Sequence, residues 1–135
     1  MTKAGLLLKE IVRENEAANH QTVVEPPIDR ILRKISKLDL PGREHFERYM
    51  LHKWRSNHKP STFKGSFLSV SSFLIFYGRM GKCQIEDIIS NDVEAFIEHQ
   101  QDRELKVTTV RTRLHGLFGF LRFLIEQDII DGRIL

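Results

Sequence analysis

The sequence predicts an all-α protein, and three observations carry that expectation. Apolar residues recur at spacings of three and four along most of the 135 residues. Helix breakers punctuate the periodic stretches at Pro26-Pro27, Pro41-Gly42, Pro60 and Gly78 to Gly81. The stretch STFKGSFLSVSSFLIFYGRMG contains aromatic and β-branched residues that also suit strands, but its length favours a helix.

Taken in order, residues 3–18 place Leu7, Leu8, Ile11 and Val12 on one face of a short helix. The polar run from Asn19 to Pro27 reads as a break and linker. Ile28, Ile31, Leu32 and Ile35 mark a second amphipathic helix, stopping before Pro41-Gly42. This arm, residues 1–40, has an apolar stripe on each helix, which suits packing on the main domain or on another subunit. Residues 43–57 form the next helix, with Phe46, Tyr49, Met50 and Trp54 as its buried side.

After Pro60, Ser61 or Thr62 is expected to cap a helix carrying Phe63, Phe67, Val70, Leu74 and Tyr77 inward. Phe73 and Phe76 widen its apolar stripe, and Gly78 and Gly81 are expected to stop it. Ile85 and Ile88 anchor a short connector. Asn91-Asp92-Val93-Glu94 reads as a capping-box-like start, with acids in the first turn where the helix dipole favours them. Val93, Phe96 and Ile97 form the buried side of that helix, which ends near Asp102–Leu105.

The stretch Lys106–Gln127, KVTTVRTRLHGLFGFLRFLIEQ, organises the rest. Val110, Leu114, Leu117, Phe118, Leu121, Leu124 and Ile125 fall on one stripe of a long helix. The opposite face carries Thr108, Arg111, Thr112, His115 and Arg122, with Arg113 flanking it. No acidic residue occurs between Lys106 and Ile125. A solvated face usually mixes both signs a turn apart. A helix apolar on one side and Thr/Arg-lined on the other suits a phosphate-rich partner.

The net charge of +3 hides a segregated distribution. Residues 41–82 hold eight Lys/Arg against two Asp/Glu, residues 83–105 one against seven, and residues 106–135 five against three. Cys83 is the one cysteine, so no internal disulfide or cysteine-based metal cluster is expected. No apolar run approaches a membrane span and no secretory signal pattern opens the chain, so the expected location is cytoplasmic.

The succession from Lys59 to Ile130 resembles the core-binding domain of the tyrosine recombinases, the phage-integrase family. The resemblance rests on Pro60-Ser61-Thr62 through Phe76-Tyr77-Gly78, on IEDIISNDVEAFI (Ile85 to Ile97), on VTTVRTRLHGLFGFLRFL (Val107 to Leu124) and on the closing EQDII. It covers just over half the chain and is a pattern of helices and caps in order. It implies a SAM-like orthogonal four-helix bundle, residues 41–135, with the 1–40 arm as an N-terminal helical extension. Such a domain clamps one face of double-stranded DNA at a recombination half-site while a separate catalytic domain grips the other. Other recombinase protomers on the DNA are the implied protein partners.

Carried over residue by residue, the implied DNA-binding set is Lys59, Ser61, Thr62 and Lys64 at one helix start, and Lys106, Thr108, Thr109, Arg111, Thr112, Arg113 and His115 at the other. The residues support this on their own terms. Helix N-termini offer free N–H groups to phosphate, threonine hydroxyls add donors, and Arg111 and Arg113 can reach phosphate or a guanine edge. The family's catalytic tyrosine, with its arginine, lysine and histidine partners, belongs to a domain beyond this stretch. His45/Arg48 and His52/Arg55 fit an H-x-x-R pattern but lie upstream of the resemblance and read as chance matches. No enzymatic activity, cofactor or small-molecule substrate is therefore expected of these residues.

Blander readings stand beside these. Thr108 and Thr109 are as well explained as helix caps. Tyr49 and Tyr77 sit on apolar stripes and read as core residues. His45, His52 and His58 are irregularly spaced for a zinc site. The acidic helix with Asp92, Glu94, Glu98 and Asp102 is expected to face away from DNA. Two alternatives to the recombinase reading remain: a helical protein–protein interaction module with a basic face, and a stand-alone DNA-binding regulator.

Overall fold

Two 20-residue helices form the centre of the fold, and they meet where neither can carry a large side chain. A computed structural model describes residues 26–56 and 59–135. Its helices are α1 (Pro27–Lys37), α2 (Arg43–Arg55), α3 (Pro60–Arg79), α4 (Ser90–Asp102) and α5 (Val107–Glu126). Short 3₁₀ turns cover Ile85–Asp87 and Gly132–Ile134, and no strand occurs among the described residues. The all-α expectation is therefore met. The helix expected over 3–18 and the linker residues 19–25 lie outside the described residues.

The chain divides into two units at Arg30, and the second is Ile31–Leu135. Only residues 26–30 of the first are described, at the start of α1. Pro27 opens that helix instead of breaking it, because a proline's fixed φ and missing N–H are harmless in a first turn. In the second unit, Ile31 and Ile35 of α1 are buried, and Lys34 holds its ammonium 5.9 Å from the Phe67 ring centroid.

Gly42 begins α2 with φ 70°, and a Cβ there would sit 2.9 Å from Ile85. Both the left-handed backbone and the close contact require glycine. α2 then buries Phe46, Tyr49 and Met50. Trp54, expected on the buried side, is 38% exposed and touches Phe63 edge-on at 5.6 Å. It lies at the end of α2, where only α3's first turns remain to cover it.

The start of α3 differs from expectation. Its N-cap is Lys59, Pro60 occupies the first turn, and neither Ser61 nor Thr62 caps it. The Phe63 N–H bonds the Lys59 carbonyl at 2.9 Å. Gly78 stays inside the helix against Pro41, and the stop comes at Gly81, with φ 87°. There the Lys82 N–H reaches the Tyr77 carbonyl and the Gly81 N–H the Gly78 carbonyl, a Schellman ending.

α4 begins at Ser90. Asp92 supplies its cap by accepting the Ile89 N–H at 2.9 Å, and it also accepts Lys82 Nζ at 2.9 Å. The other half of a capping box is missing, because Ile89 has no polar side chain.

α3 and α5 cross at Ser69 and Gly116; a Cβ on Gly116 would lie 2.6 Å from Ser69 Cβ. Around the crossing, Phe46 stacks on Phe67 at 5.8 Å and meets Phe120 edge-on at 6.1 Å. Phe96 of α4 meets Phe73 at right angles, 5.4 Å away. Such ring pairs add about 0.5–1.5 kcal/mol each beyond the area they bury. The buried positions of α5 are Leu117, Phe120, Leu121 and Leu124. Phe120 is absent from the expected stripe, whereas Val110, Leu114, Phe118 and Ile125, which are in it, are only half-buried. Among the described residues, no helix is long and apolar enough to cross a membrane.

Candidate nucleic-acid interface

The first turn of α5 is closed by backbone alone. The N–H groups of Thr109 and Val110 both bond the Lys106 carbonyl, at 2.9 and 3.0 Å. No side chain caps the helix, so the capping role offered for Thr108 and Thr109 is not what fixes them. Thr112 donates its hydroxyl to the Thr108 carbonyl at 2.9 Å. Thr108 and Thr112 are exposed, and Thr109 is half-buried.

Two adjoining clefts flank α3. The first, about 350 Å³, lies between α3 and the start of α5 and is lined by Gly65, Leu68, Ser69, Ser72, Thr108, Thr109, Thr112 and Arg113. On the α3 wall, Gly65, Ser69 and Ser72 are small and leave room beside the exposed Leu68. The second, about 460 Å³, lies between the end of α3 and α4, with Ser72, Arg79, His99, Gln100 and Arg103 among its lining residues. Ser72 belongs to both. Gln100, 1% exposed, joins them chemically: its Oε1 accepts Arg113 Nη1 at 2.8 Å.

No carboxylate lines either cleft. Among the described residues, Arg79, Arg103, Arg111 and Arg113 have no ion-pair partner. Glu94, Glu98 and Asp102 are exposed on α4 but turned away from Gln100 by the helical period, and they line neither cleft. Asp92, grouped with them in the sequence, is buried as the α4 cap.

The expected contact residues are thus divided. Thr108, Thr109, Thr112 and Arg113 come together in the first cleft. Lys59, Ser61, Thr62, Lys64 and Lys106 are exposed and line neither cleft. Arg111 and His115 lie on the other flank of α5, at the rim of a third cleft of about 560 Å³. That cleft is mainly apolar, walled by Leu105, Val107, Val110, Leu114 and Phe118. Val107 within it is 70% exposed.

Sequence reasoning missed Ser72, Arg79, Gln100 and Arg103. The serines at 66, 69, 71 and 72 were a usable signal, because small residues at helical spacing mark a close approach or an open wall. Gln100 and Arg103 were hidden inside a helix read as acidic.

The shifts of Tyr49, Lys53 and Tyr77 have structural causes. Burial raises the Tyr49 hydroxyl above its ordinary range, opposed by a hydrogen bond with Ser66 and by the charge of Arg122. Burial lowers Lys53, whose ammonium lies 5.9 Å from the Tyr49 ring centroid. Tyr77 donates to the Gln84 carbonyl at 2.7 Å and is raised further, by burial first and then by Asp92 and neighbouring acids. His45 lies 3.7 Å from Glu86, and His52 packs on Phe123 at 5.3 Å. The two H-x-x-R matches therefore have separate environments. The described residues contain no group of three or more potential metal ligands. Comparison with protein-family models, with curated proteins and with solved structures found no match to this chain.

Proposed function

We propose that the unit built on α2 to α5 binds double-stranded DNA through the two adjoining clefts and the exposed face of α5, as the core-binding part of a tyrosine recombinase. One observation carries the DNA reading: Arg79, Arg103 and Arg113 line contiguous clefts that contain no carboxylate. Surface arginines in a folded protein usually find acids a turn away or across a helix pair, and these have none among the described residues. Guanidiniums without an ion-pair partner match a polyanion whose phosphates supply acceptors for their remaining N–H groups. The recombinase assignment adds the order of the helices and the IEDIISNDVEAFI and VTTVRTRLHGLF stretches. Its work would be positioning: neutralising phosphates and setting the register of a half-site for strand exchange performed elsewhere.

A second reading has its own observation. The cleft walled by Val107, Val110, Leu114 and Phe118 is open and apolar, as in a helical module that docks another protein.

Fluorescence anisotropy with a short labelled duplex at two salt concentrations separates them. DNA binding through arginines weakens steeply with salt, with a slope of about −0.9 per phosphate neutralised. Arg113→Ala should reduce that slope by roughly one contact. A slope near zero, or no binding at low salt, sinks the DNA reading.

A further inference from the structure

Gln100 is a polar side chain that the proposed DNA contact does not use directly, yet it is almost completely buried. Burying an amide is unfavourable unless its hydrogen bonds are kept. Gln100 keeps one by accepting Arg113 Nη1 at 2.8 Å across the α4–α5 contact. A guanidinium has five N–H donors in a rigid plane, so holding one nitrogen fixes the direction of the rest. Among the described residues Arg113 has no other hydrogen-bond or ion-pair partner, and its cleft contains no carboxylate.

We infer that Gln100 is a positioning residue: it holds the Arg113 guanidinium in the cleft between α3 and α5, directed at one backbone phosphate of bound DNA. The inference rests on the DNA-binding reading and assigns Arg113 to phosphate, not to a base edge. Arg113 is half-buried at a cleft wall, with Thr109 and Thr112 beside it, and does not project from the exposed crest of α5 as Arg111 does. An unrestrained arginine would lose most of its rotamer freedom on meeting the phosphate, and the bond to Gln100 imposes that loss before binding.

The test uses the full chain with Gln100→Met, which keeps the buried volume but removes the acceptor, Gln100→Glu, which keeps an acceptor but adds a charge, and Arg113→Ala. Affinity is measured at several salt concentrations on two duplexes of unrelated sequence, and the order of the Arg113 Nε–H group in the free protein is followed by NMR. Gln100→Met should lower affinity about 3- to 10-fold on both duplexes, the cost of ordering one side chain, without changing the salt slope, because the charge remains. Arg113 should become mobile in that variant. Gln100→Glu should keep Arg113 ordered but lose about one unit of slope, as Arg113→Ala does, because its carboxylate neutralises the guanidinium. A Gln100→Met protein that melts as a folded domain and binds like wild type overturns the inference. So does an unchanged, ordered Arg113 signal in that variant. If Gln100→Met fails to fold, Gln100→Glu decides: an unchanged slope overturns the inference. Wild type that binds neither duplex at low salt removes the DNA reading itself, an outcome distinct from wild type and Gln100→Met binding equally.

Discussion

Gly116→Ala and Gly65→Ala are the same chemical change on facing helices, and the structure predicts opposite outcomes. In an open helix interior, glycine to alanine stabilises by about 0.4–1 kcal/mol through backbone entropy and helix propensity. Gly65 satisfies that condition, since a Cβ there meets nothing within 4 Å. At Gly116 the added Cβ would stand 2.6 Å from both Ser69 Cβ and Ser69 Oγ. Ordinary carbon contacts begin near 3.5 Å, so the helices must separate by roughly 1 Å. Rotating Ser69 relieves only the Oγ contact, because its Cβ is fixed by the α3 backbone, and Ser69 is 2% exposed. Overpacking of this kind costs about 1–3 kcal/mol. Subtracting the propensity gain leaves Gly116→Ala destabilised by up to about 2.6 kcal/mol, and by about 1.3 kcal/mol at the middle of both ranges, with Tm lower by roughly 4–8 °C at that value. Urea titration with common slopes reads both variants, and Gly116→Ala/Ser69→Gly should recover part of the loss. If Gly116→Ala were as stable as Gly65→Ala, the close α3–α5 crossing would be wrong.

Two further predictions concern the supports around that crossing. Asp92→Ala removes the acceptor for the Ile89 N–H and for Lys82, each at 2.9 Å, and should cost about 1–3 kcal/mol by urea titration, whereas Asp92→Asn should lose less because one acceptor oxygen survives. The folded-state pKa values of Tyr49 and Tyr77 are both raised above 10.0. The stability they contribute is complete below the unfolded value and lost as pH rises through the folded one, so thermal melts should hold steady to about pH 10 and then fall. Tyr77→Phe should weaken that alkaline fall while costing about 0.5–1.5 kcal/mol at neutral pH for the lost bond to Gln84.

Periodicity made the helices legible, but it gives a direction on a helix, not the distance to whatever lies there. The α5 stripe illustrates the difference. Leu117, Leu121 and Leu124 were legible as core, and so was the acid-free face with Thr108, Arg111 and Thr112. The stripe was read too wide because Val110, Leu114 and Phe118 share its apolar side while lining an open cleft. Phe120 was missed because α2 approaches from that side, bringing Phe46 and Tyr49 onto it. Local chemistry misled at α3: Ser61 and Thr62 are good caps in isolation, but Pro60 in the first turn moves the cap to Lys59. Arg113 was legible on the Thr/Arg-lined side of α5, but its neighbourhood with Arg79 and Arg103 was not. Arg79, Arg103 and Arg113 come from α3, the turn after α4 and α5, and no single-helix pattern shows that they share adjoining walls without a carboxylate.

The candidate site depends on the same crossing that organises the core. Gly116 and Ser69 let α5 lie close to α3, and Ser72 widens the wall one turn further along, so the first cleft opens beside a close helix crossing. A larger residue at either crossing position would move the start of α5, and with it Thr108, Thr109, Thr112 and Arg113, relative to α3. It would also alter the 2.8 Å bond from Arg113 to Gln100, since that bond spans α4 and α5. Close packing is therefore a condition for the proposed contact geometry as well as for stability. The two flanks of α5 then make distinct demands on a partner. The flank facing α3 offers Arg113, a guanidinium with no ion-pair partner among the described residues, whose attraction for phosphate is screened by salt. The flank with Val107 and Leu114 offers apolar area, whose burial salt does not screen. A partner engaging both would retain a salt-resistant part of its affinity after Arg113 is removed, whereas DNA held only by the clefts would not.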